Sequence, residues 1–134
     1  MDHTIIHFEI PAKDVQKLKS FYENAMGWKI LKAPIPGMDY WIIQTVPTDE
    51  KGMLLAPGVN GGLYPRTADT PGATQVNYIS VENIDDYISK VTNAGGKIIV
   101  PKQQIPKVGS IAIATDPEGN AFGLITPEMP SETP

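Results

Sequence analysis

Residues 14–30 read DVQKLKSFYENAMGWKI, and this stretch decides the fold. Val15, Leu18, Phe21, Tyr22 and Ala25 recur at three- and four-residue spacing, the period of an amphipathic helix with one buried face. Asp14 stands where a side-chain oxygen caps the first free amides, and Gly27 stands where a helix ends in the left-handed region. Trp28 to Leu31 then reads as a strand. Upstream, His3 to Ile10 is rich in β-branched and aromatic residues and reads as a strand that Pro11 ends.

The same order returns later. Thr74 to Val81 is an expected strand, and Ile84 to Asn93 an expected helix with Ile84, Tyr87, Ile88 and Val91 on one face. Gly95 and Gly96 stop that helix. Gly27-Trp28-Lys29-Ile30 and Gly95-Gly96-Lys97-Ile98 lie 68 residues apart, and the junctions Lys13-Asp14-Val15 and Glu82-Asn83-Ile84 lie 69 apart. A repeat near half the length of a 134-residue chain points to internal duplication. Each half is too small to bury its own sheet well, so pairing the halves makes physical sense.

The expected organisation is therefore one domain, 1–134, with module one at about 3–63, a linker at about 57–72, module two at about 74–126 and a frayed tail at 127–134. Pro34, Pro36 and Gly37 form a loop in module one. Its remaining strands are expected at Asp39–Val46 and Lys51–Ala56. Pro57 to Gly72 holds three prolines and four glycines and reads as a linker or a long cavity-edge loop. Module two is expected to continue with Lys97–Gln103, where Pro101 implies an edge or a bulge, then Val108–Thr115 and Ala121–Thr126. Asp116-Pro117-Glu118-Gly119-Asn120 between the last two is a tight turn.

Composition narrows the function. Hydrophobic residues at 41% against 19% charged suit a globular core rather than disorder. No stretch approaches the roughly 20 apolar residues that span a bilayer, and Asp2, His3 and Glu9 interrupt any leader-like run. The expectation is a cytoplasmic protein with no membrane partner. The absence of cysteine removes disulfides, thiolate metal sites and a cysteine nucleophile. His3 and His7 are the only histidines and Arg66 the only arginine. With a net charge of −4 and no basic run, nucleic acid is not an expected partner.

The residues resemble a known family. Ile6-His7-Phe8-Glu9-Ile10, then Asp14-Val15, then Phe21-Tyr22-Glu23-Asn24-Ala25-Met26-Gly27-Trp28, and the late Asp116-Pro117-Glu118-Gly119-Asn120 turn look like the glyoxalase/bleomycin-resistance/extradiol dioxygenase (vicinal oxygen chelate) superfamily. The resemblance covers roughly His3 to Thr126 and is closest to the glyoxalase-related branch. It implies an α+β fold of two pseudo-repeated βαβββ modules forming a cup-shaped mixed sheet. Active members bind a divalent metal through one inward position on each of four strands. By that resemblance the positions fall on His7, on Val76, on Gly123 and near Gly61-Gly62-Leu63. Only His7 carries a metal donor, and zinc-type sites want three or four. The expectation is no metal and no other cofactor, with a divalent metal as the alternative.

Other residues still offer chemistry. His7 and Glu9 alternate on one strand and share a face, roughly 6.5–7 Å apart along it, so they are the candidate catalytic acid and base. Glu9 as a structural hydrogen-bond partner and His7 as a satisfied cavity residue is the plainer reading. Tyr78 matches Glu9 by the pseudo-symmetry and is a candidate ligand donor, with core packing as its alternative. Trp41 is a candidate aromatic wall, Trp28 a core residue. Tyr40 and Trp41 face opposite ways, and the sequence does not say which points inward. Arg66 is a candidate clamp for an anionic ligand group, or a solvated loop residue.

Three functions follow: a metal-free binder of a small-molecule ligand; a lyase or isomerase, related to lactoylglutathione lyase, that uses His7 and Glu9, or a dioxygenase-like enzyme with a shifted metal site; and an interaction module whose cavity is filled by its own side chains. A homodimer is expected for any of them, because open sheet edges need covering.

Overall fold

The helix over residues 15–26 forms where the period places it. In the computed structural model, which describes residues 2–67, 74–106 and 108–128, α1 spans Val15–Met26. The Asp14 carboxylate accepts from the Lys17 amide, and Gly27 closes the helix at φ 71°. It follows β1 (Ile5–Ala12) and precedes β2 (Lys29–Lys32), β3 (Trp41–Gln44) and β4 (Asn60–Pro65). The second round is β5 (Val76–Ser80), α2 (Ile84–Asn93), β6 (Lys97–Ile105), β7 (Gly109–Thr115) and β8 (Ala121–Pro127). Asn83 caps α2 through the amides of Asp85 and Asp86. The fold is thus α+β, two βαβββ rounds in sequence.

The chain divides into two compact units. One runs up to Ile6 and resumes at Val76; the other is His7–Gln75. The strand orders match: β2-β3-β4-β1 in the first round and β6-β7-β8-β5 in the second. In each, the opening and closing strands pair in parallel and the intervening pairs are antiparallel. α1 covers one face of its sheet over Ile10, Ala12, Ile30, Ile43 and Leu63, with Val15, Leu18 and Tyr22 packed on them. α2 does the same through Ile84, Tyr87, Ile88 and Val91, over Ala112 and Leu124.

Four expectations need correcting. Phe21 is 55% exposed and Ala25 is also exposed. Adjacent helical residues point about 100° apart, and it is Tyr22 that turns onto the sheet and stacks on Trp28 at 4.8 Å. Pro11 does not end β1. It sits opposite Tyr64, and the Ala12 carbonyl still accepts from the Arg66 amide at 3.0 Å, so a missing N–H is tolerated where the strand needs no donor. Residues 51–56 are not a ladder strand. A single bridge, Thr48 to Leu54, is held by the Asp49 carboxylate on the amides of Lys51 and Met53. The strand in question lies instead at Asn60–Pro65, inside the stretch expected to be a linker. The rest of that stretch from 68 onward, and the tail beyond Glu128, lie outside the described residues.

Module two follows the reading closely. β6 shifts register between Ile98 and Val100 and again between Val100 and Gln103, and the second shift spans Pro101. The 116–120 turn closes with Gly119 at φ 87° and its amide on the Asp116 carbonyl. Asn120 leads several donors that hold the Asp116 carboxyl below the usual carboxylate range. No helix among the described residues is long and apolar enough to cross a membrane.

Candidate functional site

β1 alternates. Phe8, Ile10 and Ala12 face α1, which leaves His7, Glu9 and Pro11 on the opposite face. β4 lies parallel beside it, with Gly62 opposite Glu9 and Tyr64 opposite Pro11. β3 brings Ile42 opposite Gly62. The face of this sheet turned away from α1 therefore carries an imidazole, a carboxylate and a phenol around one glycine.

Tyr40, just before β3, completes the group. Its backbone is tied by the Ala33 amide on the Tyr40 carbonyl at 2.8 Å. Its ring crosses over Gly62, where a Cβ would coincide with the hydroxyl. The Tyr40 hydroxyl hydrogen-bonds His7 Nε2 at 2.9 Å. Either partner can donate, according to the tautomer. Glu9 Oε2 stands 3.8 Å from the same nitrogen, within charge–charge range but too long for a hydrogen bond. The side chains of His7 and Glu9 are 21% and 14% exposed, so the pair is shielded yet reachable. Burial first, and the Glu9 charge second, push the Tyr64 phenol above its ordinary pKa. Tyr64 therefore stays protonated at neutral pH and is a standing hydrogen-bond donor. Beside these groups Leu31, 49% exposed, and Ile42, 38% exposed, pair across β2 and β3 and form an apolar shelf.

The sequence-predicted residues scatter. His7 and Glu9 come together as read. Trp41, expected as a possible ligand wall, lies opposite Leu63 on the helix-covered side and packs into the core, with the Lys32 ammonium 5.4 Å above its ring. Of the Tyr40–Trp41 pair it is Tyr40 that faces His7. Arg66 is exposed past the end of β4. Tyr78 and Val76 are buried at 0% and 1% exposure in a cluster with Ile113 and Ile125. Tyr78 sits opposite Gly123, whose missing Cβ leaves the space its ring fills. The pseudo-symmetry is real in register, Glu9 to Gly62 and Tyr78 to Gly123, but the second pair is packed rather than open. The sequence leaves Tyr40 undecided against Trp41 and does not single out Tyr64. Their only signal was alternation, and alternation needs the register of β4 before it says which face matters.

No group of three or more His, Cys, Asp or Glu side chains able to hold a metal occurs among the described residues. His7 and Glu9 offer two donors. The space beside Gly62 is taken by Tyr40 and that beside Gly123 by Tyr78. Zinc-type sites use three or four protein donors.

Residues 4–124 match the model of the Glyoxalase/Bleomycin resistance protein/Dioxygenase superfamily. The chain belongs to this family. It is 30% identical over 122 residues to a glyoxylase-like domain-containing protein of Didymella fabae, covering 88% of this chain and 89% of that one. It is 27% identical over 116 residues to the Mycobacterium bovis protein CFP32, described provisionally as a glyoxylase; the match covers 87% of this chain but only 42% of that relative. Among solved structures, a Streptomyces coelicolor methylmalonyl-CoA epimerase in complex with 2-nitronate-propionyl-CoA superposes with TM-score 0.69 at 13% identity, over 96% of this chain and 100% of that one. The Bacillus halodurans protein BH1468 superposes with TM-score 0.68 at 14% identity, over 99% and 100%. At such identities the superpositions establish the fold and leave the chemistry to the residues.

Proposed function

We propose that this superfamily member binds a small amphipathic molecule on the His7–Glu9–Tyr40–Tyr64 face, and does so without a resident divalent metal. One observation carries the reading: His7 Nε2 is hydrogen-bonded to a tyrosine hydroxyl at 2.9 Å, and no group of three or more His, Cys, Asp or Glu able to hold a metal occurs among the described residues. The groups suit a ligand with a polar, oxygen-bearing end. Tyr64 donates to that oxygen, the His7–Tyr40 pair donates or accepts, and Leu31 and Ile42 cover an apolar remainder.

A second reading, proton transfer at carbon in an isomerase-type reaction, draws on the apposition of His7 and Glu9 at 3.8 Å. In it one group removes a proton while Tyr64 holds the developing oxyanion. Titration calorimetry of the stripped chain with Zn²⁺, Ni²⁺, Mn²⁺ and Fe²⁺, followed by a screen of small planar and carboxylated ligands, tests both. The expected result is no stoichiometric metal binding, and ligand binding lost in His7→Ala. Tight metal binding that disappears in His7→Ala would overturn the metal-free reading. Turnover with a bell-shaped pH profile that His7→Ala abolishes would establish the second.

A further inference from the structure

We infer that Gly62 is a positioning residue: its absent side chain lets the Tyr40 phenol lie across β4 and hydrogen-bond His7, so this face presents a phenol–imidazole hydrogen bond beside the longer His7–Glu9 apposition. The inference rests on the reading of this face as the binding site, but the contact itself is a property of the unliganded chain.

Backbone conformation does not call for glycine at 62. Among the described residues the glycines with positive φ are 27, 37, 52, 95, 109 and 119, and Gly62 sits in a regular ladder between Glu9 and Ile42. Any L-residue can adopt that extended conformation, and glycine in a strand interior is a weakness unless something approaches closely. Something does. A Cβ on residue 62 would coincide with the Tyr40 hydroxyl and the ring carbon bearing it. The Tyr40 backbone is held by Ala33, so an added methyl must swing the ring away by rotation about its side-chain bonds. That movement breaks the 2.9 Å bond to His7 Nε2. Glu9 Oε2, which stands 3.8 Å from that nitrogen, does not depend on the Tyr40 ring for its place on β1.

Gly123 is a control supplied by the molecule. It also stands in a regular strand, and a Cβ there would meet the Tyr78 ring. That ring is fully buried in an apolar cluster. The same device serves packing in one module and aims a hydroxyl in the other.

The test is ¹⁵N NMR of the histidine rings in the full, unliganded chain, with His3→Gln to assign the signals. The Nε2 resonance of His7 is expected to leave its wild-type position in Tyr40→Phe and to reach the same new position in Gly62→Ala. The Tyr40→Phe/Gly62→Ala double variant is expected to match Tyr40→Phe alone, and Tyr64→Phe to match wild type. A Gly62→Ala or Tyr40→Phe spectrum identical to wild type overturns the inference, as does an equal displacement in Tyr64→Phe. If Gly62→Ala does not fold, Tyr40→Ala/Gly62→Ala is expected to restore cooperative thermal unfolding, and failure to restore it overturns the steric link. No ligand enters these measurements, so a fruitless ligand screen would sink the proposed function and leave this inference standing, and the reverse holds equally.

Discussion

The two modules present opposite answers to one design. Each leaves one sheet face uncovered by its helix, and each sets a glycine of its closing strand opposite a residue of its opening strand. Around Gly123 the face is filled by Tyr78, Val76, Ile113 and Ile125. Around Gly62 it holds His7, Glu9, Tyr40 and Tyr64. The same strand order occurs twice, and side-chain choice makes one face an apolar core and leaves the other polar. A buried apolar face stabilises the fold in proportion to the area it removes from water. A polar face contributes little to stability and keeps its groups available.

That contrast can be broken by truncation. Tyr78→Ala is expected to cost about 3–5 kcal/mol of stability, as large aromatic deletions in packed cores do, whereas Tyr40→Ala should cost about 1–2 kcal/mol, one hydrogen bond and partial burial. Urea unfolding of both variants decides it; equal losses would mean the His7 face is as much core as the Tyr78 face.

Where the modules are alike, the variants should be alike. Asp14→Ala and Asn83→Ala each remove a helix cap, and each is expected to lower stability by about 1 kcal/mol. A cap that proved silent in one module would show that its helix is held by packing alone.

The smallest expected effect sharpens the polar side. Tyr64 is pushed up by burial and, less, by Glu9. Both disfavour the phenolate, so the folded chain holds this proton more tightly than the unfolded chain. The associated stability is present below the unfolded tyrosine pKa and is lost as pH rises through the folded one. Glu9→Gln removes only the second cause. An ultraviolet pH titration is therefore expected to show Tyr64 moving down while remaining above its ordinary value; no movement would place the Glu9 charge elsewhere.

Much of this was legible in the residues. Both helices, their caps and the 116–120 turn followed from local chemistry acting within a few residues. The pairing of His7 with Glu9 followed from alternation on a single strand. The site's other half did not. Gly61 and Gly62 read as linker because a strand is recognised by the side chains it carries, and β4 works by lacking them: Phe8 and Tyr40 occupy the space from the two sides. The choice between Tyr40 and Trp41 likewise waits on the register of β3 against β4, because adjacent strand residues face opposite ways.

The sequence by itself determined the repeated βαβββ order, the absence of cysteine with only two histidines, and one face bearing an imidazole and a carboxylate, because period, capping and composition are written locally. Only the tertiary structure decided that Tyr40 and Tyr64 join that face while Trp41 packs, partly buried, on the helix-covered side and Tyr78 is fully buried. Those assignments depend on the register of β4 against β1 and β3, and a register one residue out would turn every side chain to the other side.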